Sequence, residues 1–132
     1  MEMTPFLKRV LLLDAASCLG MAALLLPGAT ALAPLLGLDR SLLVGAGAAL
    51  APLGLLILWI ATRRGLYLWL VALVIAGNLL WTVESFLLLT VAAGVTAIGV
   101  TFVSGQAAIV ALLAALEFVG VRRARQAAPS QA

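Results

Sequence analysis

The chain contains no histidine and a single cysteine, Cys18. Without histidine there is no imidazole acid–base chemistry and no haem ligation by His. With one cysteine there is no Cys/His zinc site and no intrachain disulfide. Charge is scarce as well: charged residues make up 10% of the 132 residues, where an ordinary soluble domain carries about 25%. Hydrophobic residues make up 65%. A soluble protein of this length leaves a large share of its surface wet and could not hide that much apolar area. The composition excludes a soluble enzyme, a disordered chain and a disulfide-stapled secreted module. It points to a membrane-embedded protein, with no enzyme activity, cofactor or metal expected. The net charge of +3 does not signal nucleic-acid binding, because the excess cations flank apolar segments.

A membrane helix needs about 20 mostly apolar residues. Four segments qualify, over about 5–26, 41–61, 66–89 and 96–119. Pro27-Gly28 closes the first, Leu38-Asp39-Arg40 precedes the second, Thr62-Arg63-Arg64-Gly65 turns into the third, and Ala92-Ala93-Gly94 turns into the fourth. Ala29-Thr30-Ala31 imitates a signal-cleavage site, but Asp14 interrupts the apolar run and three more such segments follow, so the first segment is read as a retained span. Backbone groups in lipid must be satisfied within the segment, hence helices. The expected fold is an all-α membrane protein, an up-down-up-down bundle of four transmembrane helices over 1–125, with a disordered tail at 126–132. Residues 27–38 are apolar but too short to span, and are expected along the outer surface or as a short fold-back.

The cations set direction. With the N-terminus inside, Lys8, Arg9, Arg63, Arg64, Arg122, Arg123 and Arg125 fall on the cytoplasmic side and only Arg40 outside. Both termini are expected to be cytoplasmic. Trp59, Tyr67 and Trp69 fall where an aromatic belt belongs. Gly45, Gly47 and Ala49 give the second span a close-packing face, and Pro52 adds a kink. Ala93, Ala97, Thr101 and Gly105 form a small-residue stripe on the fourth, expected to pack within the bundle.

Polar residues inside a span are expensive, so each is a functional candidate. At about 1.5 Å per residue, Asp14 lies roughly 7 Å from Arg9, and Glu117 roughly 7 Å from Arg122. Asn78 and Gln106 share a depth near the midplane and are expected to bond each other across helices. Glu84 falls near the outer surface. Asp14, Ser17, Cys18 and Met21 share one side of the first helix; Asn78, Trp81 and Ser85 share one side of the third; Gln106 and Glu117 point alike from the fourth. One reading is structural, with Asp14 paired to Arg9 or a C-terminal arginine, Glu117 paired to Arg122, Glu84 in outer water, Asn78, Gln106, Ser17, Ser85 and Trp81 holding helices together, and Cys18 a small buried hydrophobe. The other is a polar cavity in which Asp14, Glu117 and Glu84 handle protons or substrate and the amides orient a ligand. Two carboxylates at one depth in a low dielectric resist ionising together, and such a pair can take up and release a proton.

The stretches LLLDAAS in the first span, GNLLWTVES in the third and ALEFVGVRR closing the fourth resemble a group of small four-span bacterial inner-membrane proteins with no assigned activity. The resemblance covers nearly the whole chain. It implies a multi-pass protein of the bacterial inner membrane, with Asp14, Asn78, Trp81, Glu84, Ser85, Gln106 and Glu117 as the positions to watch. In size alone the chain is also similar to small multidrug resistance exporters, which carry an essential acid in the first span; by that likeness Asp14 takes the part. The residues around Asp14 do not match those exporters, and this chain has further acids in later spans.

Two functions follow. One is a binding or accessory bundle, docked in lipid and possible as a homodimer or part of a larger membrane complex. The other is a proton-coupled carrier of a small cationic or apolar compound, working as a homodimer. A membrane enzyme has little support, because Cys18 and the acids form no nucleophile–base pair.

Overall fold

The structure, a computed structural model, describes residues 1–127. Four helices run in order: α1 (Pro5–Leu36), α2 (Arg40–Ala61), α3 (Leu68–Val91) and α4 (Ala97–Ala127). All four are long and apolar enough to cross a membrane. Their outward faces are apolar, with Leu13, Leu73, Leu80 and Leu112 all largely exposed, whereas Asp14, Asn78 and Glu117 are buried. Apolar outside and polar inside is the arrangement a hydrocarbon solvent selects. The chain is a small multi-pass integral membrane protein.

Each helix end has a local cause. Thr4 caps α1, its Oγ1 accepting from the Leu7 N–H at 3.2 Å, and Pro5 sits at the first position, where its missing N–H costs nothing. The first helix does not stop at Pro27 as expected. It continues to Leu36 through Pro27 and Pro34, and the segment 27–36 is neither a surface strip nor a separate fold-back. A proline inside a helix in lipid is tolerated where neighbours cover the freed backbone, and Ala29 and Leu36 are buried against the bundle. The stop is Gly37, in the left-handed region at φ 69°, whose N–H and that of Leu38 both reach the Ala33 carbonyl. At about 1.5 Å per residue α1 is roughly 48 Å long, more than the bilayer core of about 30 Å.

α2 and α3 match the expected spans to within two residues. α4 extends past Glu117 and the arginines to Ala127, which leaves Arg125 in its last turn, favourable for the helix dipole. Gln126 and Ala127 therefore belong to α4 rather than to the tail expected over 126–132; the remainder of that tail lies outside the described residues.

Two sets of backbone bonds tie the ends. At the cationic end, Met3 N–H donates to Arg64 O at 2.9 Å and Leu66 N–H to Met1 O at 3.0 Å, so the N-terminus closes over the α2–α3 turn. Trp59 stacks on Tyr67 there, and the Arg63 guanidinium lies 5.1 Å from the Trp59 ring. At the opposite end Thr96 joins α1 to α4. Its N–H donates to Leu36 O at 3.1 Å, its hydroxyl donates to Leu35 O at 2.7 Å, and its oxygen caps α4 through the Gly99 N–H at 3.0 Å. Gly99 lies so close to Leu36 O that no β-carbon fits.

Packing runs α2 on α1, α1 on α4 and α4 on α3, while α2 and α3 scarcely meet. Gly47 and Gly54 let α1 approach α2: a β-carbon at Gly54 would lie 2.8 Å from Leu19 Cγ and 3.1 Å from Cys18 Cβ. The stripe Ala93, Ala97, Thr101 and Gly105 faces outward, contrary to expectation; the inner face of α4 carries Gly99, Val103, Ala107, Ala114, Glu117 and Gly120. Four-residue spacing identifies a face but not its direction, and the inward direction is set by the two groups that most need burial, Gln106 and Glu117.

Candidate functional site

Three helices deliver one polar centre. Asp14 lies nine residues into α1, Asn78 ten residues into α3, and Glu117 ten residues before the end of α4. At about 1.5 Å per residue each sits roughly 14–15 Å from the cationic end of its helix. Counting from the arginines misplaced Asn78, because residues 62–67 form an extended turn and α3 begins only at Leu68. Asn78 therefore meets Asp14 and Glu117, and does not bond Gln106 as expected.

The Asn78 side chain spends both amide hydrogens. Nδ2 donates to Asp14 Oδ2 at 2.7 Å and to Glu117 Oε1 at 2.8 Å. Both acceptor oxygens bond one nitrogen, so the carboxylates face each other across it. The Cys18 thiol donates to Asp14 Oδ1 at 3.6 Å, a contact that reading Cys18 as a plain hydrophobe missed; its position one turn after Asp14 was the available signal. Glu117 Oε2 is buried and has no hydrogen-bond partner. Asp14 and Glu117 are 1% and 0% exposed. Among the described residues neither carboxylate pairs with a lysine or arginine, so the expected ion pairs to Arg9, Arg122 or another C-terminal arginine do not form. Two buried carboxylates without a cation leave negative charge that donors alone do not neutralise, and a proton or a cationic group would balance it. Thr82, also unforeseen, donates to the Asn78 carbonyl at 2.9 Å and anchors that turn of α3.

Further from the cationic end, Gln106 belongs to a second cluster. Trp81 Nε1–H donates to Gln106 Oε1 at 2.8 Å, Gln106 Nε2–H donates to Ser85 Oγ at 2.9 Å, and the Ser85 hydroxyl returns to Trp81 O at 2.7 Å. The three residues close a ring of hydrogen bonds between α3 and α4.

Two voids flank this ring. The larger, about 500 Å³, is lined by all four helices and fills the gap between α2 and α3. Its walls are mostly apolar, from residues such as Leu25, Leu43, Leu88, Phe102 and Val103; Trp81, Ser85 and Gln106 supply polar atoms, and Glu84 stands exposed at its side. Gly45 and Ala49, read as a packing face, instead form part of its wall. The smaller void, about 80 Å³, lies beneath Trp81 and Gln106 and touches Ser17, Cys18, Gly77 and Asn78. Met21, Trp81 and Gln106 line both. Ser17 thus lines the smaller void, and Glu84 makes no hydrogen bond to Asp14 or Glu117.

Among the described residues no group of three or more His, Cys, Asp or Glu is arranged to hold a metal ion. The larger void thus joins mostly apolar walls to a few polar groups, Ser41, Trp81, Glu84, Ser85 and Gln106, and Asn78 of the acid centre lines the smaller one. Comparison with protein families, with characterised proteins and with solved structures finds nothing that matches this chain.

Proposed function

We propose that this protein is a membrane-embedded binding bundle that takes a small, largely apolar compound from the surrounding lipid through the gap between α2 and α3. The observation that carries the reading is the void of about 500 Å³ bounded by all four helices. Ligand sites usually have this size and this balance, apolar walls with a few convergent polar groups. The Trp81–Gln106–Ser85 ring would orient the polar end of the ligand. Binding of an environment-sensitive apolar fluorophore to the protein in nanodiscs tests it. Gly45 lines the void, and a β-carbon there meets nothing within 4 Å. Gly45→Phe should therefore fill the space, keep the fold and abolish binding. Equal binding by the variant would refute the reading.

The acid pair favours a second reading, a proton-coupled carrier acting as a homodimer, since four helices alone enclose little space. Asp14 and Glu117 would exchange protons with a cationic or apolar substrate, and the outward stripe of Ala97, Thr101 and Gly105 offers a close-approach face for a second copy or a larger complex. In proteoliposomes, substrate addition should drive proton movement that Asp14→Asn abolishes; no movement across a broad panel of compounds would exclude it. Both readings take the seven-to-one cation bias to place the termini in the cytoplasm and the likeness of the span motifs to place the protein in a bacterial inner membrane.

A further inference from the structure

We propose that the Asp14–Asn78–Glu117 centre is a binding site for a single proton, and that it exchanges that proton only toward the Thr96 end of the bundle, through the chamber beneath Trp81. The inference deepens the carrier reading by assigning a side of access, and it does not depend on any compound occupying the larger void.

The first support is an unfilled position. Glu117 is 0% exposed and its Oε2 has no partner, while its Oε1 is held by Asn78. A buried acceptor left bare is costly, and a proton on Oε2 turns it into a donor and removes one of two negative charges. The balance is simple: hydronium gives up a proton, water leaves, and a carboxylic acid forms. Asp14 keeps the Asn78 amide and the Cys18 thiol as donors.

The second support is the asymmetry of the surroundings. On the cationic side the centre is closed by Leu7, Leu11, Ile57, Ile60 and Val71, each 0% exposed. Leu7 is seated against Gly120, where a β-carbon would lie 2.9 Å from its Cδ1. On the other side Asn78 itself lines the chamber of about 80 Å³, with Ser17 and Cys18 beside it. That space is large enough to hold water. Ser17 and Asn78 are polar residues along it, and Gln106 lines both this space and the larger void. The titratable groups facing the centre are Asp14 and Cys18 from α1 and Glu117 from α4; α2 presents Leu50 and Leu53 to the chamber and α3 presents Gly77, Asn78 and Trp81.

Infrared spectroscopy of the full chain in nanodiscs tests both parts. The wild type should show one protonated-carboxyl C=O band that shifts in D2O and is lost in Glu117→Gln. Absence of that band at every pH where the protein stays folded, or its persistence in Glu117→Gln, would overturn the proton site. For the route, Ser17→Leu puts a larger side chain into the chamber that Ser17 lines. It should slow the isotope shift of the band, as should the smaller change Ser17→Val; an unchanged rate in a folded Ser17→Leu would overturn the route. Fluorophore binding in the larger void is measured separately. Binding without an acid band refutes this inference alone, whereas an acid band without substrate-driven proton movement refutes the carrier and leaves the proton site standing.

Discussion

Replacing Asn78 by alanine removes both N–H groups that hold Asp14 and Glu117 across the bundle. A hydrogen bond between helices in a membrane averages about 0.6 kcal/mol and reaches about 1.7. Here the loss also strips two buried carboxylates of a donor, and each buried polar group left unsatisfied costs about 1–3 kcal/mol. With Asn78 only 4% exposed, water does not replace the donors cheaply. The expected destabilisation is about 2–4 kcal/mol. It is measured by reversible unfolding in mixed micelles of increasing SDS fraction, followed by helical circular dichroism and by tryptophan fluorescence. The same substitution in an Asp14→Asn, Glu117→Gln background should cost well under half as much, because neutral amides supply donors of their own. A loss below about 0.6 kcal/mol, the ordinary membrane value, would refute the reasoning. So would equal losses in the two backgrounds.

Other perturbations probe the packing. Gly54→Leu drives a side chain into Leu19 and Cys18 and should cost about 1–3 kcal/mol in the same assay, while Gly77→Ala, facing open space, should change stability by under about 1 kcal/mol. Gly37→Ala combines a left-handed φ with a clash against the Gly94 carbonyl, and should lower the thermal midpoint more than any other Gly→Ala change at the helix ends; an unaltered midpoint would mean that the α1 stop lies elsewhere. Trp81→Phe keeps an aromatic side chain but loses the bond to Gln106 and part of the indole's volume, which should cost at least about 0.6 kcal/mol and redirect Gln106, seen as weaker binding of the apolar fluorophore. Pro27→Ala restores a backbone donor to a helix that is already continuous, so stability should hold or rise; a marked loss would show that the proline is needed for the path of α1.

Much of the architecture was legible because the bilayer imposes a coarse rule: long apolar runs, separated by turn residues and arginines, become helices. The ends were less legible. Pro27-Gly28 reads as a stop in water, but neighbours in lipid carry the helix onward to Gly37, whose left-handed geometry is a subtler signal than proline. The inward direction of Asp14, Asn78 and Glu117 was readable from their cost in hydrocarbon. The shared depth of Asp14 and Glu117 was readable too, but the place of Asn78 between them was not, since it depends on where α3 begins after an extended turn, and an error of four residues shifts depth by about 6 Å. The pairing of Asn78 with Gln106 failed for that reason. Charge counting suggested ion pairs for both acids, yet Arg9 and Arg122 are exposed while both acids are buried, and no such pair forms among the described residues. The gap between α2 and α3 left no mark on either helix, as a void is a property of four elements at once.

On the proposed binding reading, the gap between α2 and α3 changes what affinity means for this molecule. With α2 and α3 apart, acyl chains of the bilayer have access to the same space as any guest. Entry is then an exchange, one apolar occupant for another, in which the walls contribute nearly equally to both and cancel. What remains is the handful of contacts at Trp81, Ser85 and Gln106. Occupancy would follow the mole fraction of the compound within the bilayer rather than its concentration in water, and would vary with chain length and saturation of the host lipid.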